Sequence, residues 1–248
     1  MRYLLLSDVH SNLEALCTCL ELAAGKYDQA VCLGDLVGYG PNPNEVIGKI
    51  RNLCKVIIRG NHDKACCGIN DAKDFNPYAR TATEWTRQAL APSNLEYLRA
   101  LPMGPALMEG FVMVHGSPHD EDEYILGPAQ ALPLLRGPET RPVCFGHSHL
   151  QGGFMLTPTG RFRSIRIPAT PDGLTLTITL QDAYRYLINP GSVGQPRDHD
   201  WRAGFAVLDT ARKKVEYYRT PYNVTQTQAK MEKAGLPQPL YRRLELGR

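Results

Sequence analysis

Five of the seven histidines in this 248-residue chain sit just past short apolar runs that read as strands: His10, His62, His115, His147 and His149. Asp8, Asp35 and Asn61 stand beside them. One histidine after a strand is ordinarily structural. Five of them with two carboxylates and an amide are hard to explain as packing, because buried polar groups cost free energy unless they are paired or bind metal. Imidazole and carboxylate together suit zinc, iron, manganese or nickel better than calcium. If the segments are extended, Asp8-x-His10 and His147-x-His149 each place two side chains on one side, since alternate residues face the same way. Asp35 has two carboxylate oxygens and can join two ions about 3.5–4 Å apart, a pair able to hold a bridging hydroxide and clamp a phosphoryl group.

These residues need elements to position them. Residues 3–6, 30–33 and 56–58 read as buried strands, with helical patterns after the first two. Ser11 and Glu14 read as a capping box, with Leu13, Leu16, Cys17, Leu20 and Ala24 on one face and Gly25 at the end. Asn42-Pro43-Asn44-Glu45 starts the second helix. Strand, loop, helix, repeated, predicts a parallel sheet whose site lies beyond the carboxyl ends of its strands. Residues 70–101 read as helical, with Ser93 and Glu96 as a further capping box. Residues 111–114 and 143–145 are expected strands ending in histidine. Residues 174–180 alternate apolar residues with threonine after the turn signal Pro171-Asp172-Gly173, and 205–208 and 215–218 look like strands. The second half therefore reads as a β-meander. Residues 1–248 read as one domain, with 221–248 a peripheral helix and loose tail.

Asp8-Val9-His10, Gly34-Asp35, Gly60-Asn61-His62-Asp63, His115 and Gly146-His147-Ser148-His149 resemble the five ordered blocks of the calcineurin-like metallophosphoesterases. The resemblance covers roughly residues 1–210. Segments 36–45 (LVGYGPNPNE) and 189–197 (NPGSVGQPR) resemble the small bacterial phosphodiesterases within that superfamily. The resemblance implies an α/β (α+β) fold: a four-layer αββα sandwich of two mixed β-sheets packed face to face, with flanking helices. It implies two divalent transition-metal ions (Mn, Fe, Zn or Ni), the first on Asp8, His10, Asp35 and His149 and the second on Asp35, Asn61, His115 and His147. His62 would bind the phosphoryl oxygen or protonate the leaving oxygen, with Asp63 orienting its ring. About forty residues separate His149 from Asn189, and the hairpin expected within 160–187 reads as a sheet-edge decoration or a contact in a homo-oligomer.

Other residues have weaker claims. Asn12 suits either a phosphate contact or the cap of the first helix. Tyr39 suits the pocket or a packed loop, and Arg197 a substrate phosphate or a surface ion pair. His119 reads as solvated, and Arg161, Arg163 and Arg166 as a solvated strand edge. The net charge of +3 gives no strong nucleic-acid signal. No apolar stretch approaches a membrane span. Seven cysteines, including the vicinal Cys66-Cys67, show no disulfide spacing, so a reducing, cytoplasmic setting is expected. The expected activity is hydrolysis of a phosphodiester, or a monoester, on a small molecule or nucleotide. The alternatives are a protein phosphatase, a dinucleoside polyphosphate hydrolase and a non-enzymatic scaffold of the same fold. The motif blocks carry no obvious arginine pair to grip a dianionic monoester, which favours a diester.

Overall fold

Alternate residues of the first strand, β1 (Arg2–Leu6), enter two different cores. Tyr3 and Leu5 join one apolar layer, Leu4 and Leu6 another, and all four are buried. A strand buried on both faces needs covering layers on both sides. The computed structural model describes residues 1–248 and shows how the chain supplies them.

The first half contains α1 (Leu13–Ala23), β2 (Gln29–Cys32), α2 (Pro43–Leu53), β3 (Cys54–Ile57), α3 (Asn61–Cys66), α4 (Pro77–Ala89), α5 (Pro92–Arg99), β4 (Ala106–Met108) and β5 (Phe111–Met113). Then follow α6 (Pro128–Arg136), β6 (Val143–Cys144), β7 (Gly152–Leu156), β8 (Phe162–Arg166), β9 (Gly173–Thr179), β10 (Arg185–Asn189), β11 (Ala203–Asp209) and β12 (Lys214–Thr220). Helices α7 (Val224–Lys233) and α8 (Gln238–Arg242) and a 3-10 turn, Arg243–Leu246, close the chain. One six-stranded sheet has the order β3-β2-β1-β11-β12-β9, the other β4-β5-β6-β10-β7-β8. Each contains one parallel triplet, β1–β2–β3 and β5–β6–β10, within otherwise antiparallel pairings. Between the sheets lie Tyr3, Leu5, Val31 and Leu33, together with Phe111, Met113 and Ile188. The outer face of the first sheet meets Leu16 and Cys19 of α1 and Val46, Ile47 and Ile50 of α2. The outer face of the second meets Ala131 and Leu135 of α6. The order is helix, sheet, sheet, helix, the expected four-layer sandwich of two mixed sheets. No helix is long and apolar enough to cross a membrane.

Several local expectations are corrected. Helix α1 is capped by Asn12, whose Oδ1 accepts from Ala15 N at 3.1 Å, and not by a Ser11–Glu14 box. Ser11 is itself left-handed (φ 54°) and lies before the cap. The buried stripe of α1 is Ala15, Leu16, Cys19 and Ala23, rotated away from Cys17 and Ala24. Residues 70–76 are not helical. Asn70 and Asp71 accept from the amides of Ala72 and Lys73, which diverts the backbone from helix until Asn76 caps α4. Ser93 and Glu96 lie inside α5, whose cap is Ala91. Helix α6 and strand β4 carried no signal strong enough to be expected.

The second half is not a simple meander, because its strands divide between the sheets. The β7–β8 hairpin edges one sheet, and β9 crosses to edge the other. The 160–187 segment thus extends both sheets at one side. The C-terminal stretch is not loose. Met231, Leu236, Leu240 and Leu244 are buried against Tyr39, Ala79 and Ala82. Lys230 forms an ion pair with Glu14, and His199 N donates to Gly247 O at 2.9 Å. Leu244→Ala is therefore expected to lower stability by about 2–5 kcal/mol in urea melts, whereas a loose tail would leave the midpoint unchanged.

Candidate metal centre

Every loop that carries a candidate ligand leaves the carboxyl end of a parallel strand. Asp8 follows β1, Asp35 follows β2, Asn61 follows β3, His115 follows β5 and His147 follows β6. The segment after β10 brings in Gln195 and Arg197. The two triplets face each other, so their loop ends converge at one mouth.

The convergence is not the strand alternation expected of Asp8-x-His10 and His147-x-His149. Strands β1 and β6 stop at Leu6 and Cys144. Asp8, His10, Asp35, His147 and His149 all have φ between 47° and 62°. Left-handed backbone at non-glycine residues costs on the order of 1–3 kcal/mol each and persists only where surrounding contacts enforce it. Here they do. His10 N donates to Asp35 O at 3.0 Å, Asp8 N to Gly34 O at 3.1 Å, and Gly194 N to Asp8 O at 3.0 Å. Glycine is required where loops touch: a Cβ on Gly60 would stand 2.1 Å from Asp35 Oδ1, and one on Gly146 2.0 Å from Ser7 Oγ.

The side chains are aimed by the same scaffold. The Nδ1 atoms of His10, His115 and His149 donate to the carbonyls of Val37, Leu33 and Gln195 at 3.0, 2.8 and 2.6 Å. That turns each Nε2 inward. His147 is inverted: its Nε2 donates to Asp122 O at 3.1 Å, leaving Nδ1 inward. Asp8 Oδ1 accepts from His147 N at 3.1 Å and Asp35 Oδ1 from His62 N at 2.8 Å, while both Oδ2 atoms are buried with no partner. Ligand atoms of Asp8, His10, Asp35 and His149 lie within 4.8 Å of one another, as do those of Asp35, His115 and His147. Asn61 Oδ1 faces His115 Nε2 at 3.3 Å.

The residues fit metal. His10 Nε2 and His149 Nε2 stand 3.1 Å apart, and both Nδ1 protons are committed to carbonyls. In the neutral rings two lone pairs then face each other. Ligands sharing an ion at about 2.1 Å are roughly 3–3.5 Å apart, and a carbonyl behind each imidazole is the usual orienting device. Burial pushes His10 down to about 4 and His147 to about 3, and puts His149 and His62 well below the usual range. Neutral imidazole is the form a metal takes. Burial also raises Asp8 to about 6. His115 is the exception: burial acts to lower it, but Asp35 lifts it to about 10, and His115 in turn holds Asp35 well below the carboxylate range.

A cleft of about 260 Å³ opens from Asn61, His62 and His147, walled by Tyr39, Phe75 and Tyr124. The His62 ring packs 4.3 Å from Tyr39 and 4.5 Å from Phe75, and its Nδ1 has no partner. Asp63 does not orient that ring. Its carboxylate accepts from Gly60 N at 2.9 Å and Val37 N at 3.2 Å, so it braces the loops instead. Asn12 is likewise spent inside the fold, capping α1 and donating to Gly194 O at 2.9 Å. Tyr39 lies 4.8 Å from the His10 ring, and Arg197 reaches its hydroxyl at 3.5 Å. Arg59 points away, to Glu121. His119 is exposed, as are Arg161, Arg163 and Arg166. All seven cysteines are free.

Residues 1–151 match the family model of the calcineurin-like phosphoesterases. The chain belongs to that family. A metallophosphoesterase from Sphaerobacter thermophilus is 37% identical, superposes with a TM-score of 0.80 and is matched over 100% of this chain and 99% of its own. An uncharacterized protein from Methanocaldococcus jannaschii is 34% identical over 98% of this chain and 97% of its own. A hypothetical protein from Pyrococcus horikoshii shares the fold, with a TM-score of 0.78 at 22% identity, over 100% of this chain and 98% of its own. In this phosphoesterase the buried aspartates and histidines are positioned to bind metal ions.

Sequence reasoning missed Phe75, Tyr124, Gln195 and Arg243. Phe75 was hidden in a segment read as helix, and Tyr124 stacks on His147 at 3.8 Å from a loop without a motif. Nothing in the spacing joins Arg243 to Tyr39, although its guanidinium lies 5.1 Å from that ring. The expectation that no arginine pair is at hand is corrected: Arg197 and Arg243 both flank Tyr39.

Metal that binds only the folded chain stabilises it, by about 2.7 kcal/mol at a hundred times its dissociation constant. Stripping metal with a chelator should therefore lower the melting temperature by roughly 5–10 °C. Adding manganese should restore it. A calorimetric scan that is the same with and without metal would count against the site.

Proposed function

We propose that this phosphoesterase hydrolyses a phosphate ester of a small molecule or nucleotide with two divalent transition-metal ions, manganese, iron, zinc or nickel. One observation carries the number two. The partnerless Asp35 Oδ2 lies 3.5 Å from His10 Nε2 and 3.5 Å from His115 Nε2, between the two ligand groups. Asp8, His10, Asp35 and His149 would hold the first ion, and Asp35, Asn61, His115 and His147 the second. When bound, such a pair supplies Lewis acidity and makes water nucleophilic at neutral pH.

The chain's own groups do the rest. Carbonyls of Leu33, Val37, Gln195 and Asp122 fix the imidazole tautomers. Tyr39, Phe75 and Tyr124 wall the cleft and suit a planar ring on the ester. His62, neutral because burial holds its pKa low, donates an N–H to a phosphoryl or leaving oxygen. The diester reading rests on segments 36–45 and 189–197 alone, since an arginine pair is present after all.

His62→Ala should keep its metal by elemental analysis and lose about 10²–10⁴-fold in kcat toward an aryl phosphate ester. Turnover at the wild-type rate would remove His62 from the mechanism. Loss of metal together with activity would make it a ligand instead.

A further inference from the structure

Beyond the ligand cluster, three neighbouring side chains each keep one buried donor that no acceptor meets. Arg197 Nε, Arg243 Nε and Gln195 Nε2 are each buried and without a hydrogen-bond partner. They are neighbours. Gln195 Oε1 accepts from Arg197 Nη2 at 2.9 Å and from Arg243 Nη2, so one amide oxygen holds two guanidinium groups side by side. Both also lie over Tyr39, with Cζ 5.8 and 5.1 Å from the ring centre. Gln195 is 1% exposed.

The arrangement has no internal charge balance. Arg59, Arg202 and Arg219 are also largely shielded from solvent, and each holds a carboxylate. Arg197 and Arg243 form no ion pair, and two adjacent cations repel. Burial and the charge of Arg197 lower Arg243 to about 10. Unpaired buried donors are rare in folded proteins and call for a missing acceptor. Several at once, two of them cationic, call for an anion.

The place of the cluster says which anion. Arg197 N donates to His149 O at 3.3 Å, and Gln195 O accepts from the His149 ring, so the donors are anchored to a candidate metal ligand. Arg243 comes from the C-terminal turn, held there by buried Leu240 and Leu244. Both arginines lie outside residues 1–151, the stretch that matches the family model.

We propose that Gln195, Arg197 and Arg243 form an anion subsite beside the metal cluster that takes a dianionic terminal phosphoryl group of the substrate. The proposal rests on reading the site as a phosphoesterase, and it narrows the substrate class. A lone diester has one negative charge and gives two guanidinium groups little to hold. A terminal phosphate has two charges and matches the forked donors of arginine. That phosphate is either the one cleaved, as in a monoester, or a second one next to a scissile diester.

The first measurement needs no turnover. Titration calorimetry of inorganic phosphate into manganese-loaded protein, freed of excess metal, should show Kd raised about tenfold or more in Arg243→Gln. Arg243→Lys, which keeps the charge, should recover part of the loss. Arg197→Gln provides the same comparison if Arg243→Gln does not fold. Unchanged phosphate affinity in folded variants overturns the subsite. Kinetics then locate the phosphate. The probes are p-nitrophenyl phosphate, bis-p-nitrophenyl phosphate and the 5′-p-nitrophenyl ester of thymidine 3′,5′-bisphosphate. In Arg243→Gln, kcat/KM for one of the dianionic probes should fall at least about tenfold relative to the simple diester. If the affected probe is p-nitrophenyl phosphate, the phosphate held is the one cleaved; if it is the bisphosphate ester, it is a second one. Equal losses on all three overturn the inference and leave the phosphoesterase reading intact. Phosphate binding that depends on Arg243, with no probe hydrolysed, would do the reverse.

Discussion

His10 and His149 face each other at 3.1 Å in the buried interior, each ring locked by a carbonyl into the tautomer that points its lone pair inward. Two carboxylate oxygens share the space without a partner. Facing lone pairs repel without a cation, and most of the fold can be read as the means of holding them. Two parallel triplets of strands, one in each sheet, present their carboxyl ends to a common mouth. Behind them lie two large, mostly apolar cores, so the loops stand on packed supports. The strain is local: five candidate ligands in left-handed backbone, tied by amide–carbonyl bonds between loops. A preorganised site of this kind does not have to collapse onto its metal.

The C-terminal turn extends the site. Leu244 joins the same apolar cluster as Tyr39, and Tyr39 packs on both His10 and His62. Packing of the tail, the position of Arg243 and the wall of the cleft are therefore parts of one arrangement. Arg59 and Lys64 act similarly on the other side. Both hold Glu121, and Lys64 also holds Asp122, whose carbonyl orients His147. Two peripheral segments thus fix the cleft from opposite ends.

Much of this was legible in the sequence, for reasons that differ by element. Strands 3–6 and 30–33 are continuous apolar runs because they are buried on both faces. The seven candidate ligands stood out because polar types so dense at strand ends have no packing role. The geometry that gathers them was not legible. The Asp8-x-His10 spacing is equally compatible with extended and left-handed backbone, and only the contacts with Gly34, Asp35 and Gly194 decide. Asp63 lies next to His62 in sequence and so suggested a pair, but helix α3 turns its carboxylate back to Gly60 N, three residues earlier. Arg243 looks like tail in the sequence because its partners, Gln195 and Tyr39, are 48 and 204 positions away. Residues 70–76 look helical in the sequence because side-chain competition for the backbone leaves no periodic trace.

The central claim is that Asp35 joins two ions within one buried cluster. The direct measurement is anomalous diffraction at the manganese edge from crystals grown with manganese. The account predicts two peaks about 3.5–4 Å apart, one beside His10 and His149, the other beside His115 and His147, with Asp35 between them. A single peak, or none among these side chains, would contradict it.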